Sequence, residues 1–66
     1  MIDARAIRLS LNLTQDEFAK RFNLKLATVR QWEQGRREPH GAALTLLEII
    51  KKIPDAVDGA LHSTTR

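Results

Sequence analysis

The 66-residue sequence contains no cysteine, so no disulfide can staple the fold and no thiolate can hold a metal. That composition fits a reducing compartment. No apolar run approaches the roughly 20 residues needed to span a bilayer, and no charged leader precedes a hydrophobic region. The expectation is a soluble, cytoplasmic chain with no membrane contact. Strand-type alternation, internal repeats and low-complexity segments are also missing, which leaves the helix as the regular element. The sequence has no nucleophile and base at a recognisable spacing, no phosphate loop and no cluster of metal ligands. His40 and His62 lack partners at metal spacing and read as a helix-start residue and a tail residue. Neither an enzyme, a cofactor nor a metal is expected. A chain this short makes one small domain, with a core too small to enclose a deep cleft, and its marginal stability favours association of subunits.

What is present begins at Thr14. Thr14 and Glu17, three residues apart, form a capping box, in which the hydroxyl accepts from an orphan amide and the carboxylate from the cap amide. Leu13 and Phe18 flank it as a hydrophobic staple. Phe18, Ala19 and Phe22 give the helix one apolar face, and Asn23, which tolerates the left-handed conformation, ends it, with Leu24 as the accompanying apolar contact. A second helical pattern follows, with Val29 and Trp32 on its inner stripe and Gly35 placed to terminate it. Trp32 is read as core because it lies opposite the polar face. Two short helices across a tight turn make a helix-turn-helix.

The flanking segments read as support. A first helix is expected from about Asp3 to Leu11, with Ile7 and Leu11 facing inward. After Glu38 and Pro39 a further helix begins near His40 and runs to about Lys52, with Leu44, Leu47, Ile50 and Ala43 as its inner stripe. Lys51 and Lys52 suit its negative end. Pro54 opens a last short helix in which Val57 and Leu61 recur at helical spacing, one turn after Ile53. The fold class is all-α, a bundle of about five helices over residues 1–61, followed by a polar tail over 62–66 that is expected to fray.

The outer face of the second motif helix carries Lys25, Leu26, Ala27, Thr28, Arg30 and Gln31. The N-terminal end of such a helix is what enters a major groove, where Gln pairs with adenine, Arg or Lys addresses guanine, and apolar groups touch thymine methyls. Gln15, first in the preceding helix, stands where a positive helix end meets a phosphate. Residues 25–37 hold Lys25, Arg30, Arg36 and Arg37 against Glu33, a local excess of +3, while the remainder of the chain is neutral. A charge excess confined to one helix and the loop after it is the footprint of a phosphate-binding surface. His40 is placed to approach a phosphate beside Arg36 and Arg37.

The segment IRLSLNLTQDEFAKRFNLKLATVRQWEQGRREP resembles the helix-turn-helix domain shared by phage repressors and the Xre family. WEQGRREP followed by GAALTLLEIIKKIPDAV resembles more narrowly the DNA-binding half of HigA-type and MqsA-type antitoxins. The resemblance implies a five-helix, lambda-repressor-like domain and a dimeric, sequence-specific repressor on a palindromic double-stranded operator. Carried onto this sequence, it assigns Gln15 and Gln34 to phosphate anchoring and Lys25, Leu26, Ala27, Thr28, Arg30 and Gln31 to the groove. It also pairs Arg8 with Glu33, holding the reading helix against its scaffold. Two departures matter. Lys25 stands where Ser or Thr often caps the reading helix, and Leu26 and Ala27 replace polar readers, which shifts the expected readout toward thymine methyls and leaves Gln31 as the main hydrogen-bonding reader. Arg30 has two open roles, base reading and backbone grip.

One short helix reads few base pairs, so a homodimer is expected, with Ile53, Val57 and Leu61 as its interface; the alternative is that Val57 and Leu61 finish the monomer's core. The functional expectation is a repressor that is also the antitoxin to a small ribonuclease-type toxin, gripped either by this domain or by an arm preceding Met1. A stand-alone phage-type or housekeeping regulator is the alternative.

Overall fold

The first two helices start on side-chain caps, and the first three end on backbone hydrogen bonds. The computed structural model describes residues 2–62, which form α1 (Ala4–Ser10), α2 (Gln15–Arg21), α3 (Leu26–Glu33), α4 (Ala42–Lys52) and α5 (Pro54–His62). Asp3 caps α1 by accepting from the Ala6 amide at 3.1 Å. The capping box of α2 is complete: the Glu17 amide donates to Thr14 Oγ1 at 3.1 Å, and the Thr14 amide donates to Glu17 Oε1 at 2.8 Å. α3 begins at Lys25 with no side-chain cap.

Three helices stop by the same device. Asn23 (φ 61°) and Gly35 (φ 75°) take the left-handed conformation just past α2 and α3. The next amides then turn back, Leu24 to the Ala19 carbonyl at 2.8 Å and Arg36 to the Gln31 carbonyl at 3.0 Å, satisfying carbonyls that the helix leaves free. Asn12 (φ 59°) does the same after α1, with the Leu13 amide donating to the Arg8 carbonyl at 3.4 Å. Its position between Leu11 and Leu13 matches Asn23 between Phe22 and Leu24, a signal passed over in the sequence.

α4 starts two residues later than the expected start near His40. Gly41 is its N-cap with φ 61°, a conformation that a residue with a Cβ seldom takes, so the helix cannot run back through it. At the other end α5 includes His62, which therefore belongs to the helix rather than to the tail. Residues 63–66 of that expected tail lie outside the described residues.

The core is Ala4, Ile7, Phe18, Ala19, Phe22, Val29, Leu47, Ile50 and Val57, contributed by all five helices. Phe18 and Phe22 pack edge to face, ring centroids 5.1 Å apart, the arrangement that aligns ring edge with ring face. Leu13, Leu24, Trp32, Leu46 and Leu61 close over this cluster as half-buried residues. α2 packs chiefly on α3, α4 on α5, and α1 on both α3 and α4. The helix-turn-helix is thus one side of the bundle, with α1 and α4 as its backing.

Left-handed backbone costs a β-branched residue about 1–2 kcal/mol, so Asn23→Val is expected to lower stability by that amount while Asn23→Gly leaves it unchanged or raises it. Urea unfolding followed by circular dichroism checks this, and equal midpoints for the two variants would contradict the turn assignment.

Candidate nucleic-acid interface

The interface is built around one buried charge pair. Arg8 projects from α1 and donates from Nε to Glu33 Oε2 at 2.7 Å and from Nη2 to Glu33 Oε1 at 2.8 Å. Its remaining terminal nitrogen donates to the Leu13 carbonyl at 2.9 Å, just ahead of α2. The two side chains are only 12% and 5% exposed. Gln15, at the start of α2, donates from Nε2 to Glu33 Oε1 at 3.1 Å. One carboxylate near the end of α3 therefore ties α3 to α1 and α2, in the forked geometry that makes arginine suited to a carboxylate.

The Arg8 hydrogen bonds hold the Glu33 carboxyl below the usual carboxylate range, against the opposing effect of burial, with help from the Gln15 hydrogen bond and from the charges of Arg8 and Arg5. Arg8 is raised further above an already basic value, chiefly by its hydrogen bonds to Glu33.

With Val29 buried and Trp32 half-buried against the core, α3 turns Ala27, Arg30 and the capping residue Gln34 outward as exposed side chains, with Lys25 exposed at its start. Thr28 and Gln31 are half-buried. Arg36 and Arg37 follow on the exposed loop, where the Gln31 carbonyl receives both of their amides, at 3.0 and 3.4 Å. The basic loop is therefore fastened to the end of α3. His40 is exposed on the same loop, its Nδ1 3.3 Å from the Glu38 carbonyl. Among the described residues no group of His, Asp and Glu side chains is arranged to hold a metal, and no helix is long and apolar enough to cross a membrane.

Several expected site residues sit differently from the reading of the sequence. Leu26 packs against the core as a half-buried residue, because it lies on the edge of the inner stripe beside Val29. Ala27 keeps an exposed position. Val57 is 9% exposed and belongs to the monomer's core, and Leu61 packs on that core, so the alternative of a core-closing role holds for both. Ile53 is 53% exposed, and Ile49, absent from the expected interface, is 41% exposed beside it on α4. Gln15 is occupied by Glu33 through one amide hydrogen, which leaves its second N–H and its carbonyl oxygen for another partner.

Residues 5–53 match the family model described as helix-turn-helix. The chain belongs to the Xre-type helix-turn-helix family. It is 35% identical over 52 residues to antitoxin HigA-2 of Vibrio cholerae, covering 79% of this chain and 50% of that protein; the chain thus spans about half the length of the curated relative it matches. The crystal structure of a helix-turn-helix Xre-family like protein from Agrobacterium tumefaciens superposes with a TM-score of 0.89 at 44% identity, covering 94% of this chain and 100% of that one. A DNA-binding regulator with a lambda-repressor-like, all-helical fold follows from the family. Its helix-turn-helix is the helix pair α2 and α3.

A carboxyl depressed in the fold contributes stability above the unfolded-chain value, about pH 4.3, and loses it as pH falls through the lower folded value. Acid titration of the wild type should therefore show stability falling from about pH 5 downward. Glu33→Gln should start lower at neutral pH and have a flatter profile. Removing Arg8, as in Arg8→Met, strands the Glu33 charge and should cost about 3 kcal/mol. Parallel acid profiles for wild type and Glu33→Gln would contradict the role given to the pair.

Proposed function

We propose that the chain is a sequence-specific transcriptional repressor that acts as the antitoxin of a toxin–antitoxin pair and represses its own operon from the cytoplasm. The observation that carries the DNA reading is α3 itself: a helix locked from behind by Arg8 and Glu33, with a basic and polar outer face running into Arg36 and Arg37. Gln31 reads a base edge through paired hydrogen bonds, and Ala27 touches a thymine methyl. Thr28 and Arg30 border that contact. Lys25, Gln15, Gln34, Arg36, Arg37 and His40 grip phosphates. The similarity to HigA-2 supports the antitoxin role; the partner would be a small toxin of ribonuclease type.

The operator is palindromic and the reader a homodimer, since two half-sites one helical turn apart supply the length that one helix lacks. Ile49 on α4 and Ile53, the C-cap of that helix, are apolar side chains that the monomer leaves exposed, and they replace Val57 and Leu61 as the centre of the proposed interface. A stand-alone regulator is the second reading.

Gln31→Ala should relax preference at one base position, whereas Arg36→Ala should weaken all sequences alike and lower the salt slope by about one unit. Selection of binding sites from a random pool distinguishes the two, and a uniform loss for Gln31→Ala would remove its reading role. Ile53→Glu should convert a sedimenting dimer to a monomer. A wild-type chain that remains monomeric at high concentration yet holds a single half-site tightly would overturn the dimer. Co-expression with the product of the adjacent reading frame tests the antitoxin role: a stable complex and rescued growth support it, and failure of both leaves the stand-alone regulator.

A further inference from the structure

Arg5 is a basic residue outside the phosphate-binding strip that the sequence suggests. It lies one turn before Arg8 on α1, and side chains three apart share a helix flank. That flank is fixed against the reading unit, because Arg8 is bound to Glu33 on α3 and to the Leu13 carbonyl ahead of α2. The start of α1 also lies beside the basic loop: Asp3 and Ala4 share one shallow hollow with Trp32, Gly35 and Arg37.

Three observations bear on what the Arg5 charge is for. It is exposed, and among the described residues it forms no ion pair. The nearest carboxylate on the α3 side, Glu33, is already bound in a fork by Arg8, so the Arg5 charge is not cancelled there. Asp3, two residues before it, turns its carboxylate onto the Ala6 amide as the cap of α1. The guanidinium is still close enough for its charge to help depress the Glu33 carboxyl. A cation near the end of α3 and without an ion-pair partner, on a helix whose first turn lies beside Arg37, has the chemistry of a phosphate contact.

We infer that Arg5 extends the phosphate-binding strip from the loop after α3 onto α1 and contacts a phosphodiester of the bound duplex. The contact is electrostatic and independent of base sequence, so it adds affinity without specificity. This inference rests on the DNA-binding reading of α3, and the experiment separates the two.

Binding of a mixed-sequence DNA duplex is measured by fluorescence anisotropy across a salt series, for the wild type, Arg5→Gln and Arg5→Lys, with the melting temperature of each. Loss of one phosphate contact lowers the slope of log affinity against log salt by about 0.9. The expected result is that lower slope for Arg5→Gln, the wild-type slope for Arg5→Lys, and melting temperatures that stay together. An unchanged slope in Arg5→Gln would overturn the inference while leaving the DNA reading intact. So would a lowered slope that Arg5→Lys fails to restore, which would mark a packing role instead. A wild-type chain with no salt-dependent binding would overturn both.

Discussion

The Arg8 guanidinium is the constraint on which the remaining geometry depends. It spends its hydrogen-bond donors on two elements at once, the Glu33 carboxylate of α3 and the Leu13 carbonyl ahead of α2. Gln15 adds a third attachment to the same carboxylate. Without these bonds α3 would rest on the core through Val29, Trp32 and Leu26 alone, and apolar packing is non-directional. The ionic fork is directional, and it sets the rotation of α3 about its axis. A well-packed apolar replacement can match or exceed the stability of such a pair, so its value to this fold lies in orientation. The same pair removes Glu33 from the charge balance of the outer face. What remains there is positive.

The surface consequently divides. One side, from Gln15 across α3 to the loop of Arg36 and Arg37, is polar and basic and is backed by closed helix ends. Those ends are closed because the amide following each left-handed residue turns back to a free carbonyl, which sets the direction in which the loop after α3 starts. Elsewhere Ile49 on α4 and its C-cap Ile53 are exposed, next to an α5 whose C-terminal turn is fastened to α2. There His62 Nε2 sits 2.8 Å from the Arg21 carbonyl, and Arg21 pairs with Asp58 at 3.5 Å. The surfaces proposed for reading and for association thus use different residues of one small bundle. Neither face needs the other's residues.

Local signals in the sequence were the legible ones. The capping box at Thr14, the stop at Asn23 and the termination at Gly35 each depend on residues within one turn of one another, and each stands where the pattern put it. The Arg8 and Glu33 pair, 25 residues apart, could not be read from spacing; it came from family resemblance. Burial at helix edges was harder to read. Leu26 sits at the border of its apolar stripe, where a small rotation decides between core and surface, and that rotation is set by neighbouring helices. Arg5 was invisible for a related reason: Glu33, whose carboxyl its charge helps to depress, comes near only after α1 folds against α3. The start of α4 was displaced by Gly41, whose positive φ no sequence pattern announced.

The central claim is that α3, held by Arg8 and Glu33, and its basic flanks form the DNA-binding surface. Backbone amide chemical shifts of the isotope-labelled chain, followed during titration with duplex DNA, test it most directly. The account predicts that the largest changes fall at Gln15, across residues 25–31 and across 34–37, with Ile49 and Ile53 little moved. Changes centred on α4 and α5, with residues 25–37 unmoved, would contradict it.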